Sequence, residues 1–148
     1  MEPGDYKCRL IYSNHIERIE FAPYSRKKVT SLRLIEHNSI NYSYKSTDRT
    51  QLKALFDQRS GSEDILIVRN DLVTDSYYAN VVFYDGKQFI TPSMPLLQGT
   101  KRAKLIAEGR IKPGEITRRN IWKFNEIHLI NAMIDLGEIV INTEQVTS

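Results

Sequence analysis

Residues 64–71 read Asp-Ile-Leu-Ile-Val-Arg-Asn-Asp, and residues 72–92 continue LVTDSYYANVVFYDGKQFITP. The apolar run Ile65–Val68 is too short for a helix and dense enough for a strand buried on both faces. It stops at Asn70-Asp71, two residues that tolerate the left-handed backbone of a tight turn. The stretch after it carries further antiparallel strands, and Asp85-Gly86 is the strongest hairpin signal in the chain. The middle of the molecule is thus predicted to be an antiparallel meander.

Working towards the N-terminus, Tyr6, Cys8, Leu10 and Tyr12 alternate with polar neighbours, the period-two pattern of a half-buried strand. Residues 15–24 and 31–37 give two more strands before the first helix. Thr47 or Asp48 is placed to cap that helix, Leu52, Leu55 and Phe56 give it one apolar stripe, and Gly61 is placed to end it. Towards the C-terminus, Gly99-Thr100 opens a second helix that Gly109 closes. Thr117 is placed to cap a short helix over 118–124. Residues 126–134 read as a buried strand and 137–142 as an edge strand or tail. The fold class that follows is α+β, mostly antiparallel strands with a few helices.

Composition narrows the function. With 41% hydrophobic and 26% charged residues, the 148-residue chain is expected to be a soluble globular protein. Its net charge of +3 is spread through interleaved acids and bases, which argues against a nucleic-acid partner. The single cysteine, Cys8, excludes an internal disulfide and fits a reducing cytoplasm. No apolar run approaches the roughly 18 residues of a membrane span, and residues 1–20 lack a signal-peptide layout. His15, His37 and His128 have no metal-ligand spacing, so no metal site is expected. A Gly-x-Ser-x-Gly nucleophile elbow is also missing.

Three features remain. Lys45 stands in "SYKSTDR", residues 43–49, between an extended stretch and a helix start. Asp75 is an acid inside a strand-rich stretch, and Gly99-Thr100 in "LLQGTKR", residues 96–102, lies at a helix N-terminus. Singly they read as a solvated lysine, an edge or turn acid and a capped helix. Together they have the chemistry of a pyridoxal phosphate site: a lysine amine for the cofactor's aldehyde, a carboxylate for its pyridine nitrogen, and helix N-terminal amides for its phosphate.

The blocks "YSYKSTDR", "DILIVRNDLVTDSYYANVVFYDGKQFITPSMPLLQGTKRAKLIAEGRI" and "NEIHLINAMIDLGEI" resemble, in order and spacing, the class IV aminotransferases, the fold-type-IV pyridoxal phosphate enzymes. The resemblance implies that Lys45 is the Schiff-base lysine and that Asp75, where most members have glutamate, pairs with the pyridine nitrogen. It implies that the Thr100 and Lys101 amides and the Asn131 side chain meet the phosphate, and that the Ala132 and Met133 amides meet a substrate carboxylate. Residues 1–36 correspond to the end of an N-terminal α/β domain and its connection, and 37–148 to the cofactor-binding C-terminal domain. The phosphate-binding arginine of that first domain has no counterpart here, so weak cofactor binding and poor turnover are expected of these 148 residues. Within the family the sequence looks nearest to 4-amino-4-deoxychorismate lyase, with branched-chain or D-amino acid aminotransferase as the alternative. A non-catalytic remnant that binds a partner or small molecule is the reading from another class. The resemblance also implies a cytoplasmic homodimer acting on an amino acid or aminodeoxychorismate-type small molecule.

Overall fold

The computed structural model describes residues 2–148. Two strands, β1 (Tyr6–Tyr12) and β2 (Ile16–Pro23), form a separate antiparallel ribbon. Next come β3 (Leu32–Glu36), helix α1 (Thr50–Phe56), β4 (Asp64–Arg69), β5 (Leu72–Ser76), β6 (Asn80–Tyr84) and β7 (Phe89–Pro92). Helix α2 (Thr100–Ala107), β8 (Lys112–Gly114), β9 (Glu126–Asn131), β10 (Ile134–Asn142) and β11 (Val146–Thr147) complete the chain. Nine strands make one sheet in the order β10-β9-β6-β5-β4-β3-β11, with β7 on β6 and β8 on β7. The pairings are mostly antiparallel, but β3–β4, β3–β11 and β7–β8 are parallel. This is the α+β fold that the sequence leads one to expect.

The Ile65–Val68 run is fully buried, and its alternation explains how. Ile65 and Ile67 face α1, packing with Leu52 and Leu55, while Leu66 and Val68 join Val81, Phe83, Ile127 and Leu129 on the other face. Helix α2 lies on the α1 side, its Leu105 against Val82 and Ile130. Asn70 and Asp71 have φ of 51° and 66°, so β4 and β5 join through the expected two-residue turn. Helix α2 ends in a Schellman motif. The Arg110 N–H donates to Leu105 O and the Gly109 N–H to Ile106 O, with Gly109 at φ +69°.

Several local expectations are corrected. The apolar face of the β1–β2 ribbon is not half-buried: Leu10 and Tyr12 of β1 and Ile16, Ile19 and Phe21 of β2 are each about half exposed or more, because alternation defines a face without supplying a cover for it. The first helix begins after Arg49, although the Asp48 carboxylate still accepts the Thr50 N–H at 3.0 Å. It ends at Phe56, well before Gly61. The helix expected over 118–124 shrinks to a 3₁₀ turn at Ile121–Lys123. The strand expected over 126–134 breaks at Ala132–Met133, the turn joining β9 to β10. Among the described residues no helix is long and apolar enough to cross a membrane, and no cluster of metal-ligating side chains occurs.

Candidate functional site

Asp75 sits at an irregularity in the sheet. Leu66 pairs with Ser76 while Val68 pairs with Val73, so Thr74 and Asp75 together stand opposite Ile67. Such a bulge bends the strand and re-aims a side chain. The Thr74 hydroxyl donates to Ile67 O at 3.1 Å, satisfying the carbonyl at this irregularity. Asp75 is 5% exposed. Its carboxylate accepts the Leu96 N–H and, at 2.6 Å, the Asn80 side-chain amide. Burial pushes its pKa up to about 6, against the opposing pull of the Leu96, Asn80 and Leu97 donors and the Arg102 charge.

Asn80 binds a second element with the same nitrogen, donating to Leu97 O at 2.8 Å. Gly99 lies directly on it: a Cβ there would come within 2.1 Å of Asn80 Oδ1. Asn80 therefore clamps the segment Leu96–Gly99 against Asp75, and that segment delivers the N-terminus of α2. No side chain caps this end, and the first turn holds no acid, so its N–H groups and dipole remain available to an anion. Arg102, nearly buried, fastens the first turn from beneath by donating to Gln98 Oε1 and Pro92 O, both at 2.9 Å.

The Asn131–Met133 turn is tied to the same helix by an ion pair between Lys101 Nζ and Asp135. Asn131 donates to Tyr78 O at 3.3 Å, and its own Oδ1 accepts the Met133 N–H at 2.8 Å. The Met133 amide is thus already engaged, and a carboxylate ligand would compete with Asn131 for it. Ala132 and Met133 border a cleft of about 260 Å³ shared with Tyr6, Tyr24 and Arg26.

Lys45 occupies the exposed loop between β3 and α1. Among the described residues no hydrogen bond or ion pair joins it to Asp75, Thr100, Lys101 or Asn131. Its loop is nevertheless anchored near them. The Arg49 guanidinium donates to Tyr77 O and stacks 4.5 Å from the Tyr77 ring, only two residues beyond Asp75. Cations gather around Lys7, Lys45 among them: the Lys7 ammonium has its pKa lowered chiefly by burial, then by the charges of Lys45, Arg9, Arg49 and Lys27. Asp75 is thus bonded through Leu96 and Asn80 to the segment that leads into Thr100, Lys101 is paired with Asp135 just past the Asn131–Met133 turn, and Lys45 is linked to them through its loop alone. Sequence reasoning missed Asn80, Arg49 and Asp64. Asn80 and Asp64 each leave a trace, a polar residue at the head of an apolar strand.

The residues present fit pyridoxal phosphate. The uncapped α2 N-terminus suits a phosphate, the close approach at Gly99 shapes its cradle, and Asp75 is a buried carboxylate able to pair with a protonated ring nitrogen. The model of amino-transferase class IV matches residues 9–140, and the chain belongs to that family. An uncharacterised protein of Haemophilus influenzae is 39% identical over 127 residues, covering 86% of this chain and 68% of the relative. A crystal structure from Haemophilus somnus 129pt, provisionally assigned as a 4-amino-4-deoxychorismate lyase, superposes with a TM-score of 0.85 at 37% identity, over 88% of this chain and 68% of that one. A hypothetical aminotransferase of Mycobacterium tuberculosis, solved with pyridoxal phosphate bound, shares the fold at a TM-score of 0.68 and 17% identity, over 86% of this chain and 53% of that one.

Proposed function

We propose that residues 37–148 form the cofactor-binding domain of a pyridoxal phosphate enzyme nearest to the 4-amino-4-deoxychorismate lyases, with residues 1–36 as the end of a preceding domain. The observation that carries this reading is the clamp at Asn80, which joins a buried carboxylate and an open helix N-terminus in one unit. When bound, pyridoxal phosphate supplies an electron-accepting ring to a substrate attached through its amine. Asp75 holds a proton at the ring nitrogen. The Thr100 and Lys101 amides and the Asn131 side chain would hold the phosphate, and the Ala132 amide, joined by the Met133 amide once Asn131 Oδ1 releases it, would orient a substrate carboxylate. Lys45 would hold the cofactor through its amine, and the same Nζ would serve as the acid/base that moves a proton at the substrate's Cα.

Lyase and aminotransferase share these roles, so a branched-chain or D-amino acid aminotransferase is the alternative. The exposed apolar face of the β1–β2 ribbon supports a homodimer, which we place in the cytoplasm. The test is to add pyridoxal phosphate, reduce with borohydride and map the peptides. A pyridoxyl group on Lys45 is expected. A label on another lysine, or none, would overturn the assignment.

A further inference from the structure

The short turn Ser76–Ala79 between β5 and β6 is where the separate parts of the site meet. Arg49, from the Lys45 loop, donates to Tyr77 O. Asn131, beside the Ala132–Met133 turn, donates to Tyr78 O. Within the turn the Ser76 hydroxyl accepts the Ala79 N–H at 3.1 Å and donates to Ala79 O at 3.2 Å. The turn is fixed to the body of the protein by the stack of the Tyr77 ring on Phe56 and, at its backbone, by Asp64, at the head of β4. Its Oδ1 accepts the Tyr77 N–H at 3.2 Å and the Ile65 N–H at 2.7 Å. Asp64 is fully buried, and its Oδ2 has no hydrogen-bond partner among the described residues. The Tyr78 hydroxyl, buried nearby, likewise has none. A carboxylate placed at such cost calls for an explanation beyond the strand itself.

We propose that Asp64 is a positioning residue: it holds the Ser76–Ala79 turn, and the turn carries the Lys45 loop through Arg49 and the Ala132–Met133 turn through Asn131. The assignment of a role to those two segments rests on the proposed function, but the mechanical link does not. The bonds Asp64 accepts need an oxygen and not a charge, and Oδ2 contributes nothing to them. Asp64→Asn keeps the oxygen, whereas Asp64→Ala removes it.

Amide hydrogen exchange read by mass spectrometry on the whole chain, without cofactor, tests the link. Asp64→Ala is expected to speed exchange several-fold in peptides covering 43–49 and 129–133, with peptides of α2 unchanged. Asp64→Asn is expected to keep the parent pattern, the rescue that a charge-based role would not give. If Asp64→Ala loosens the whole molecule, Asp64→Ser, Arg49→Met and Asn131→Ala decide. Asp64→Ser should loosen both segments, Arg49→Met only 43–49, and Asn131→Ala only 129–133. Unchanged exchange in either segment with Asp64→Ala or Asp64→Ser, or a loosened Asp64→Asn, would refute the proposal. A hub that behaves as expected in a chain that takes no pyridoxal label would instead refute the proposed function and leave the hub standing.

Discussion

Gly99→Ala is the sharpest probe of the clamp. The backbone at Gly99, φ −68° and ψ 145°, is open to alanine, so any cost is steric. The new Cβ would fall 2.1 Å from Asn80 Oδ1 and 3.2 Å from its Cγ. The asparagine must therefore leave, and with it go the bonds to Asp75 and Leu97 O. The bond to a carboxylate is worth about 1.5–3 kcal/mol and the neutral one about 0.5–1.5 kcal/mol. The stiffer unfolded chain returns about 0.4–1 kcal/mol. A net loss of about 1–4 kcal/mol follows, or roughly 2–16 °C in Tm for a chain of this size. Urea denaturation of Gly99→Ala, Asn80→Ala and the double variant gives the assay, as a double-mutant cycle. In the Asn80→Ala background the extra methyl has room, and its cost should shrink to within about 0.5 kcal/mol of zero. An equal cost in both backgrounds would refute the reasoning.

Other outcomes follow from single features. Asp64, like Asp75, has a pKa pushed up to about 6, chiefly by burial. A carboxylate whose folded pKa lies above its unfolded value favours folding below about pH 4 and loses that contribution as pH rises to about 6. The unfolding free energy of Asp64→Asn from urea denaturation should therefore exceed that of the parent by more at pH 8 than at pH 4, by up to about 3 kcal/mol, and a pH-independent difference would exclude the effect. Gly109→Ala has open space around it but keeps φ at +69°, so a loss of about 1–2 kcal/mol is expected in thermal denaturation. Asp75→Asn should leave the fold intact by circular dichroism while cutting turnover by orders of magnitude; near-normal rates at saturating cofactor would remove Asp75 from its proposed role.

What the sequence makes legible is whatever a local pattern encodes. Ile65–Val68 as a buried strand, Asn70-Asp71 and Asp85 as turns, and Gly109 as a helix stop all depend on residues within a few positions of each other. The parallel pairing of β3 with β4 was not legible, because alternation specifies a face and not a neighbour. The break at Ala132–Met133 was hidden inside a continuous apolar run. Lys45, Asp75 and Thr100 are ordinary singly and are picked out only together, through the resemblance of the blocks that carry them. Asn80, Arg49 and Asp64 matter through contacts with Leu97, Tyr77 and the turn at 76–79, and nothing in their immediate sequence announces a partner so far along the chain.

The parallel β3–β4 pair has a bearing on how the molecule comes together. Antiparallel neighbours such as β4 with β5 and β9 with β10 close through two-residue turns, whereas β3 meets β4 only after residues 37–63 have crossed over. Loop closure entropy must be met before such a pair is rewarded, so crossovers are intrinsically slow to form. Lys45 rides on this crossover, while Asp75 lies within the meander. In a refolding time course followed by pulsed exchange, protection over 64–84 is expected to precede any constraint on 43–49, so Asp75 is in place before the loop that carries Lys45 arrives.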